Sequence, residues 1–230
     1  MYCKRMRKEE LKDMKMVIIH TSPVSLGDLK QLCHEIIPSV ELVNIIDDSL
    51  LEEVKGNGGI TDAIISRMQQ YVKVADGLKP DLILNQCSSV GEAFDVARKE
   101  TSALTVKIDD AMAELAVDKG VNIAVIATVA STMKPSCNLI KTKANEKKKE
   151  IVVSEYLVDG ALDILMKEGD LKKHNELVIS KIKEAEKSND VIVLAQGSMT
   201  AILPYLEDIM VPVLTSPRLA IERVKKMLGL

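Results

Sequence analysis

Aromatic side chains are almost missing from the 230 residues, which hold no Trp, one Phe and four Tyr. Single-strand nucleic-acid binders stack bases on aromatic platforms, and this chain has few to offer. A basic surplus is lacking too, since 31 Lys and Arg stand against 34 Asp and Glu, for a formal charge of -3. Little is left to neutralise a phosphate backbone, so no nucleic-acid partner is expected. No apolar run approaches the roughly 18 to 20 residues that span a bilayer, and no membrane partner is expected either. Cys3, Cys33, Cys87 and Cys137 form no CxxC pair. A thiolate metal site is therefore not expected.

The opening MYCKRMRKEE is charged throughout and has no apolar stretch ahead of a cleavage site, unlike a secretory signal. The expectation is a cytoplasmic protein whose thiols stay free in a reducing compartment. Residues 1–13 read as a solvated arm, with Met6, Met14 and Met16 each able to serve as the start.

What is present is enough to build a core. Apolar residues make up 47% and charged residues 28%, which excludes a disordered chain. At about 150 residues per domain, the length suits one large α/β domain or two small lobes. Short runs rich in Val and Ile alternate with amphipathic stretches, the pattern of parallel strands buried between helices. The runs predict strands near 15–20, 40–46, 81–86, 103–108, 121–127, 150–157, 190–195 and 211–215. Helices are expected over about 25–36, 60–77, 91–99, 110–119, 132–146, 160–187, 198–208 and 217–228.

Sliding the second half of the sequence over the first exposes a diverged repeat. DLILNQCSS at 81–89 lies over DVIVLAQGS at 190–198, and IIHT at 18–21 over VIAT at 125–128. Asp47 answers to Asp159, and Ala103-Leu104-Thr105 to Pro212-Val213-Leu214. Any two α/β segments share one such match, but four in order at nearly constant spacing indicate two equivalent lobes. The expected fold is α/β, with two pseudo-symmetric Rossmann-like lobes, mostly parallel four-stranded sheets and a cleft between them. The division is 14–108 plus 214–230 for the first lobe and 109–213 for the second. The last helix returns to the first lobe, and the turn Thr215-Ser216-Pro217 closes the cleft.

Ligands of such sheets sit beyond the carboxyl ends of the strands, where helix N-termini present unpaired N–H groups. The turns at those ends are rich in hydroxyls: Thr21-Ser22, Ser88-Ser89, Thr128 with Ser131-Thr132, and Gly197-Ser198. Taken singly, each is an ordinary helix cap. Converging from two lobes, they form a cradle for a carboxylate. Cys87 directly succeeds a buried strand and precedes a helix, a place that lowers a thiol pKa and makes a base or nucleophile. The competing reading is a buried, inert thiol. Asp109-Asp110 read as cap residues of the next helix, or as hinge or cleft residues at the crossover between lobes. His20 either lines the cleft or is held in the core.

The two-lobe repeat, the Cys87-Ser88-Ser89 turn, the IAVIATVAST run, and VIVLAQGSMTAILPYLED followed by VPVLTSPRLAIERVKKML together resemble the aspartate/glutamate/hydantoin racemase superfamily, over about residues 14–230. The resemblance implies a cofactor-free enzyme acting at the carbon next to a carboxylate, on a small acid held between the lobes. The family's racemases set two cysteines face to face. Cys87 matches the first, but Gln196 stands at the second position, and an amide does not exchange protons near neutral pH. Amino-acid racemisation by paired thiols is thereby put in question. One thiol still suits an isomerase, or a decarboxylase or carbon–carbon lyase acting on a malonate-like acid. A catalytically silent carboxylate-binding protein is the non-enzymatic alternative. The catalytic candidates are Cys87, Gln196 and His174, the last where some members of the family place a functional His, or else a solvated residue beside Lys172 and Lys173. Thr21, Ser22, Ser88, Ser89, Thr128, Thr132, Gly197 and Ser198 are the substrate-binding candidates. A homo-oligomer is compatible with the sequence, which shows no seam.

Overall fold

The computed structural model describes residues 14–230. The expected arm at 1–13, with Cys3, lies outside the described residues. The chain folds into two four-stranded parallel sheets, ordered β2-β1-β3-β4 and β6-β5-β7-β8. The first sheet consists of β1 (Lys15–His20), β2 (Glu41–Ile46), β3 (Leu82–Asn85) and β4 (Leu104–Lys107). The second consists of β5 (Asn122–Ala127), β6 (Val152–Leu157), β7 (Val191–Leu194) and β8 (Val213–Thr215).

The repeat is visible strand by strand. β1 and β5 share one burial pattern, buried after their first residue, while β3 and β7 are buried throughout. Covered on both faces, such strands read as unbroken apolar runs. β2 and β6 lie at sheet edges and share an alternating, half-exposed pattern. The aspartates before β3 and β7 do the same work. Asp81 Oδ2 accepts from the Lys15 backbone N–H at 2.9 Å, and Asp190 Oδ2 from those of Val121 and Asn122 at 3.0 and 2.7 Å. Each ties the start of its lobe's central strand.

The helices are α1 (Leu26–Ile36), α2 (Ser49–Asn57), α3 (Asp62–Gly77), α4 (Gly91–Ala97), α5 (Asp110–Lys119), α6 (Ala130–Glu146), α7 (Ala161–Asp163), α8 (Leu171–Ala185) and α9 (Ser216–Met227). Three segments differ from the sequence expectation. α2 is an addition to it: the helix is short, carries Gly56, and buries just Leu50 and Val54 before Gly58 ends it at φ +69°. The single helix expected over 160–187 is broken. Its first part passes into a π-turn ending at Gly169 (φ +67°), and α8 restarts where Asp170 caps the Lys173 N–H at 2.9 Å. The segment expected as a helix at 198–208 is a 3-10 stretch, Gly197–Tyr205, with Pro204 near its end.

Each sheet has a core on both faces. The chain crosses back at its end: β8 pairs with β7 through Thr215, and α9 then buries Ala220, Ile221 and Val224 against Met16, Ile18 and Leu82 of the first sheet. Leu214 and Thr215 thus belong by pairing to the second sheet, and the return starts at Ser216, not at 214.

Candidate active site between the lobes

The strand-end turns of the two lobes meet. Ser89, in the 3-10 turn Ser88–Val90 after β3, has Oγ 3.2 Å from Oγ1 of Thr132, in the first turn of α6 after β5. Both residues are buried. Cys87 sits directly before that 3-10 turn, half-buried against the Val17, Ile19 and Phe94 cluster. The hydroxyls of Thr21 and Ser89 and the backbone N–H groups of Ser89 and Val90 are the neighbouring donors that favour its thiolate. The donors form a nest of the kind that receives an anion.

The thiol pKa moves opposite to the sequence expectation. Burial pushes it up, and the surrounding donors offset this incompletely. A three-residue 3-10 turn separates Cys87 from α4, which begins at Gly91, so no long helix dipole acts directly on the sulfur. At neutral pH the resting site therefore holds a thiol, a group able to give a proton.

Gln196 leads the equivalent turn of the second lobe. Its Oε1 accepts from the Thr128 backbone N–H at 2.9 Å and the Thr128 hydroxyl at 3.3 Å. The amide orientation is therefore set, and Nε2, buried without a partner, is left as a donor. Gly197 faces Pro217, whose Cγ lies 3.6 Å from where a Cβ would be, so the start of α9 adjoins this turn. Among the described residues, no group of three or more His, Cys, Asp or Glu is arranged to hold a metal ion.

The fold recurs in solved structures. An aspartate racemase from Picrophilus torridus matches at 17% identity over 94% of each chain, with a TM-score of 0.68. A putative Asp/Glu racemase from Yersinia pestis matches at 15% identity over 94% of this chain and 100% of its own, with a TM-score of 0.72. An allantoin racemase from Klebsiella pneumoniae matches at 15% identity over 94% of this chain and 88% of its own, with a TM-score of 0.62. The chain has the racemase fold. No protein-family model and no curated protein sequence matches it.

Within this racemase fold, the remaining candidates divide. Thr21, Ser88, Ser89, Thr128 and Thr132 are all buried at strand-end turns. Ser22 is half-buried, and its Oγ accepts from the Val24 N–H at 3.2 Å, which makes it a turn former. Ser198 is half-buried in the 3-10 stretch. His174 is fully buried, against the solvated alternative, because α8 turns it inward with Val178 and Ile182 while Lys172 and Lys173 stay outside. Its Nδ1 lies 2.9 Å from Asn175 Oδ1 and its Nε2 has no hydrogen-bond partner, so no hydrogen bond links it to Cys87 or Gln196.

His20 is also fully buried, with Nε2 2.9 Å from Asn44 Oδ1. Burial lowers its pKa, partly offset by Asn44 and Gln86, and keeps it neutral. Gln86 Nε2 in turn donates to Ser25 Oγ at 2.7 Å. His20 thus belongs to a polar prop beneath the 21–25 turn.

The crossover between the lobes carries a group whose sequence pattern is that of a cap or hinge residue. Asp109 occupies the N-cap position of α5, yet its side chain makes no cap hydrogen bond. It is 4% exposed and lines a cavity of about 130 Å³ together with Ser88, Glu92, Lys107, Asn138 and Lys143. The one sequence signal is its place between the lobes, since the pattern of a buried carboxyl equals that of a cap.

Proposed function

We propose that the protein is a cofactor-independent isomerase acting at the carbon next to a carboxylate of a small acid, such as an amino acid, a hydantoin or a related compound. Cys87 is the acid/base group. The observation that carries the reading is the nest of Thr21, Ser89 and the Ser89 and Val90 N–H groups around the Cys87 sulfur, at a turn touching Thr132 of the opposite lobe. A carboxylate held by these hydroxyls and N–H groups would set its α-carbon beside the thiol, and holding the reactants so replaces a bimolecular encounter. The racemase fold, shared with an aspartate and an allantoin racemase, supports the same class of substrate.

Gln196 favours a second reading. A protonated thiol can deliver a proton to one side of an enediolate, and an amide with a free donor, such as Gln196, can stabilise its oxyanion. That chemistry suits decarboxylation or carbon–carbon cleavage of a malonate-like acid.

The test is deuterium exchange from heavy water into a panel of amino acids, hydantoins and substituted malonates, with Cys87→Ala and Cys87→Ser beside the parent protein. Exchange at the α-carbon that both variants abolish supports the isomerase. Carbon dioxide release without α-proton exchange supports the second reading. Turnover unchanged in both variants removes Cys87 from the reaction, and tight carboxylate binding without turnover makes the protein a binder.

A further inference from the structure

β3 ends on a polar residue where the rest of the strand is apolar. Asn85 is fully buried, as are the three residues before it. Its backbone is fixed in register with Ile19 and Lys107, and its carbonyl accepts from the Ile108 N–H at 2.9 Å. From this base the side chain reaches forward: Nδ2 donates to the Cys87 carbonyl oxygen at 2.9 Å, while Oδ1 stays buried without a hydrogen-bond partner. A buried amide satisfied on one side alone is costly, and an apolar residue of similar size avoids that cost. The second lobe has such a residue. In the repeat Asn85 lies over Leu194, which ends β7 and is equally buried. The fold of a lobe therefore does not require the amide, and the amide stands in the lobe whose next turn carries the thiol. The Gln196 turn is tied instead by its own side chain, with Oε1 on the Thr128 N–H.

We propose that Asn85 is a positioning residue for Cys87, a tether that clamps the Cys87 carbonyl and so presets the turn carrying the sulfur. The assignment rests on the reading of Cys87 as the reacting group. The same carbonyl accepts from the Val90 N–H at 3.3 Å, the bond that closes the 3-10 turn, and the Asn85 bond is the shorter of these two. Strand alternation puts Asn85 on the face of Ile83, where Cys87 packs beside Val17, Ile19 and Phe94. Cys87 itself is extended, at φ -117° and ψ 119°. A trans peptide is planar with its C=O and N–H opposed, so holding the Cys87 carbonyl also fixes the Ser88 N–H, which points away from Asn85. The consequence is a reacting group held in place by a neighbour that does not itself titrate or react.

Asn85→Leu gives the first lobe the residue that the second has at the same place. The full chain is alkylated with iodoacetamide against pH, with the Cys87, Cys33 and Cys137 peptides followed separately by mass spectrometry, and its melting temperature is measured beside this. Asn85→Leu should melt within a few degrees of the parent or above it, because the orphaned Oδ1 is removed along with the bond. Its Cys87 should be alkylated about threefold or more slowly at pH 7.5, with the profile moved to higher pH, each pKa unit being tenfold in thiolate. The reason is that a slackened turn aims the Ser89 and Val90 N–H groups less well at the thiolate they favour. Cys33, in the core on the other face of the first sheet, and Cys137, in the second lobe, should keep the parent rates. An unchanged Cys87 profile, or a faster one, would overturn the tether. A lowered melting temperature with faster alkylation of Cys33 would make Asn85 an ordinary packing residue and overturn it as well. If Asn85→Leu does not fold, Asn85→Ala decides on the same readings. The readout does not depend on turnover: parent-like alkylation in Asn85→Leu counts against the tether, whereas turnover unchanged in Cys87→Ala counts against the reading beneath it.

Discussion

Ser89 and Thr132 join the two lobes by one hydroxyl pair, Oγ to Oγ1 at 3.2 Å, and Ser89 reaches the Cys87 sulfur from the same hydroxyl. One side chain therefore supplies both a contact between the lobes and a donor beside the thiol. Ser89→Ala and Thr132→Ala should each cost about 1 kcal/mol, with a double-mutant coupling of about 0.5 kcal/mol or more, measured by urea unfolding. Ser89→Ala alone should also slow Cys87 alkylation, since it removes a donor to the sulfur.

Gln196 separates two roles by atom, Oε1 on Thr128 and Nε2 free to donate. Gln196→Glu keeps the acceptor and loses the donor. Its melting temperature should stay near that of the parent while affinity for the carboxylate ligand falls by about tenfold or more. Gln196→Ala leaves the Thr128 N–H unpaired and should lose about 1–3 kcal/mol of stability in addition. Calorimetric titration beside urea unfolding separates the two.

Asp47 lies at the end of β2, where burial opposes its charge but Ser49, Tyr71 and Arg67 hold the carboxyl at about 2. The Arg67 ion pair is 2.7 Å long, with the Asp47 side chain 15% exposed. A depressed carboxyl stabilises the fold above its ordinary pKa near 4, and that stability is lost as pH falls through about 2. Asp47→Asn should cost about 2 kcal/mol at pH 7 and progressively less below pH 4. Unfolding curves at pH 7, 4 and 2.5 check the sign.

Buried thiols set the alkaline side. Burial pushes Cys33 and Cys137 up to about 12, with Glu155 adding to the effect at Cys137. Groups raised in the folded state stabilise it fully below their ordinary value near 9 and lose that contribution as pH rises toward 12. By pH 10.5 the loss at Cys33 should reach about 1–2 kcal/mol. Cys33→Ala should show a flatter decline in unfolding free energy between pH 8 and 10.5 than the parent. An equal slope would mean that the thiol is already accessible.

Gly120 ends α5 in extended backbone, and a Cβ there would lie 2.6 Å from the Asp190 Cβ. Gly120→Ala must shift the start of β5 away from the aspartate that ties it, and should cost about 1–3 kcal/mol in urea unfolding.

The architecture is legible because parallel strands buried on both faces have to be continuous apolar runs, and Asp81 and Asp190 mark equivalent starts. α2 escapes a pattern reading because Leu50 and Val54 give too short an apolar face to register as a period. The break at Gly169 is hidden because the amphipathic pattern resumes immediately after it. The strand-end positions of Cys87 and the hydroxyl turns can be picked out from the sequence. The direction of the thiol pKa cannot, since it depends on how far burial outweighs four donors. Asp109 shows the same limit: one residue type at one position serves equally as a cap or as a buried acid, and only the folded structure, where it is buried and makes no cap hydrogen bond, distinguishes them.

The path of α9 has a bearing on how the duplicated halves can be handled. Because Ala220, Ile221 and Val224 roof the first sheet from the far end of the chain, cutting the polypeptide at the crossover would yield one fragment with a bare apolar floor and another trailing an orphaned amphipathic helix. The two halves are thus tied together by a shared helix as well as by the crossover.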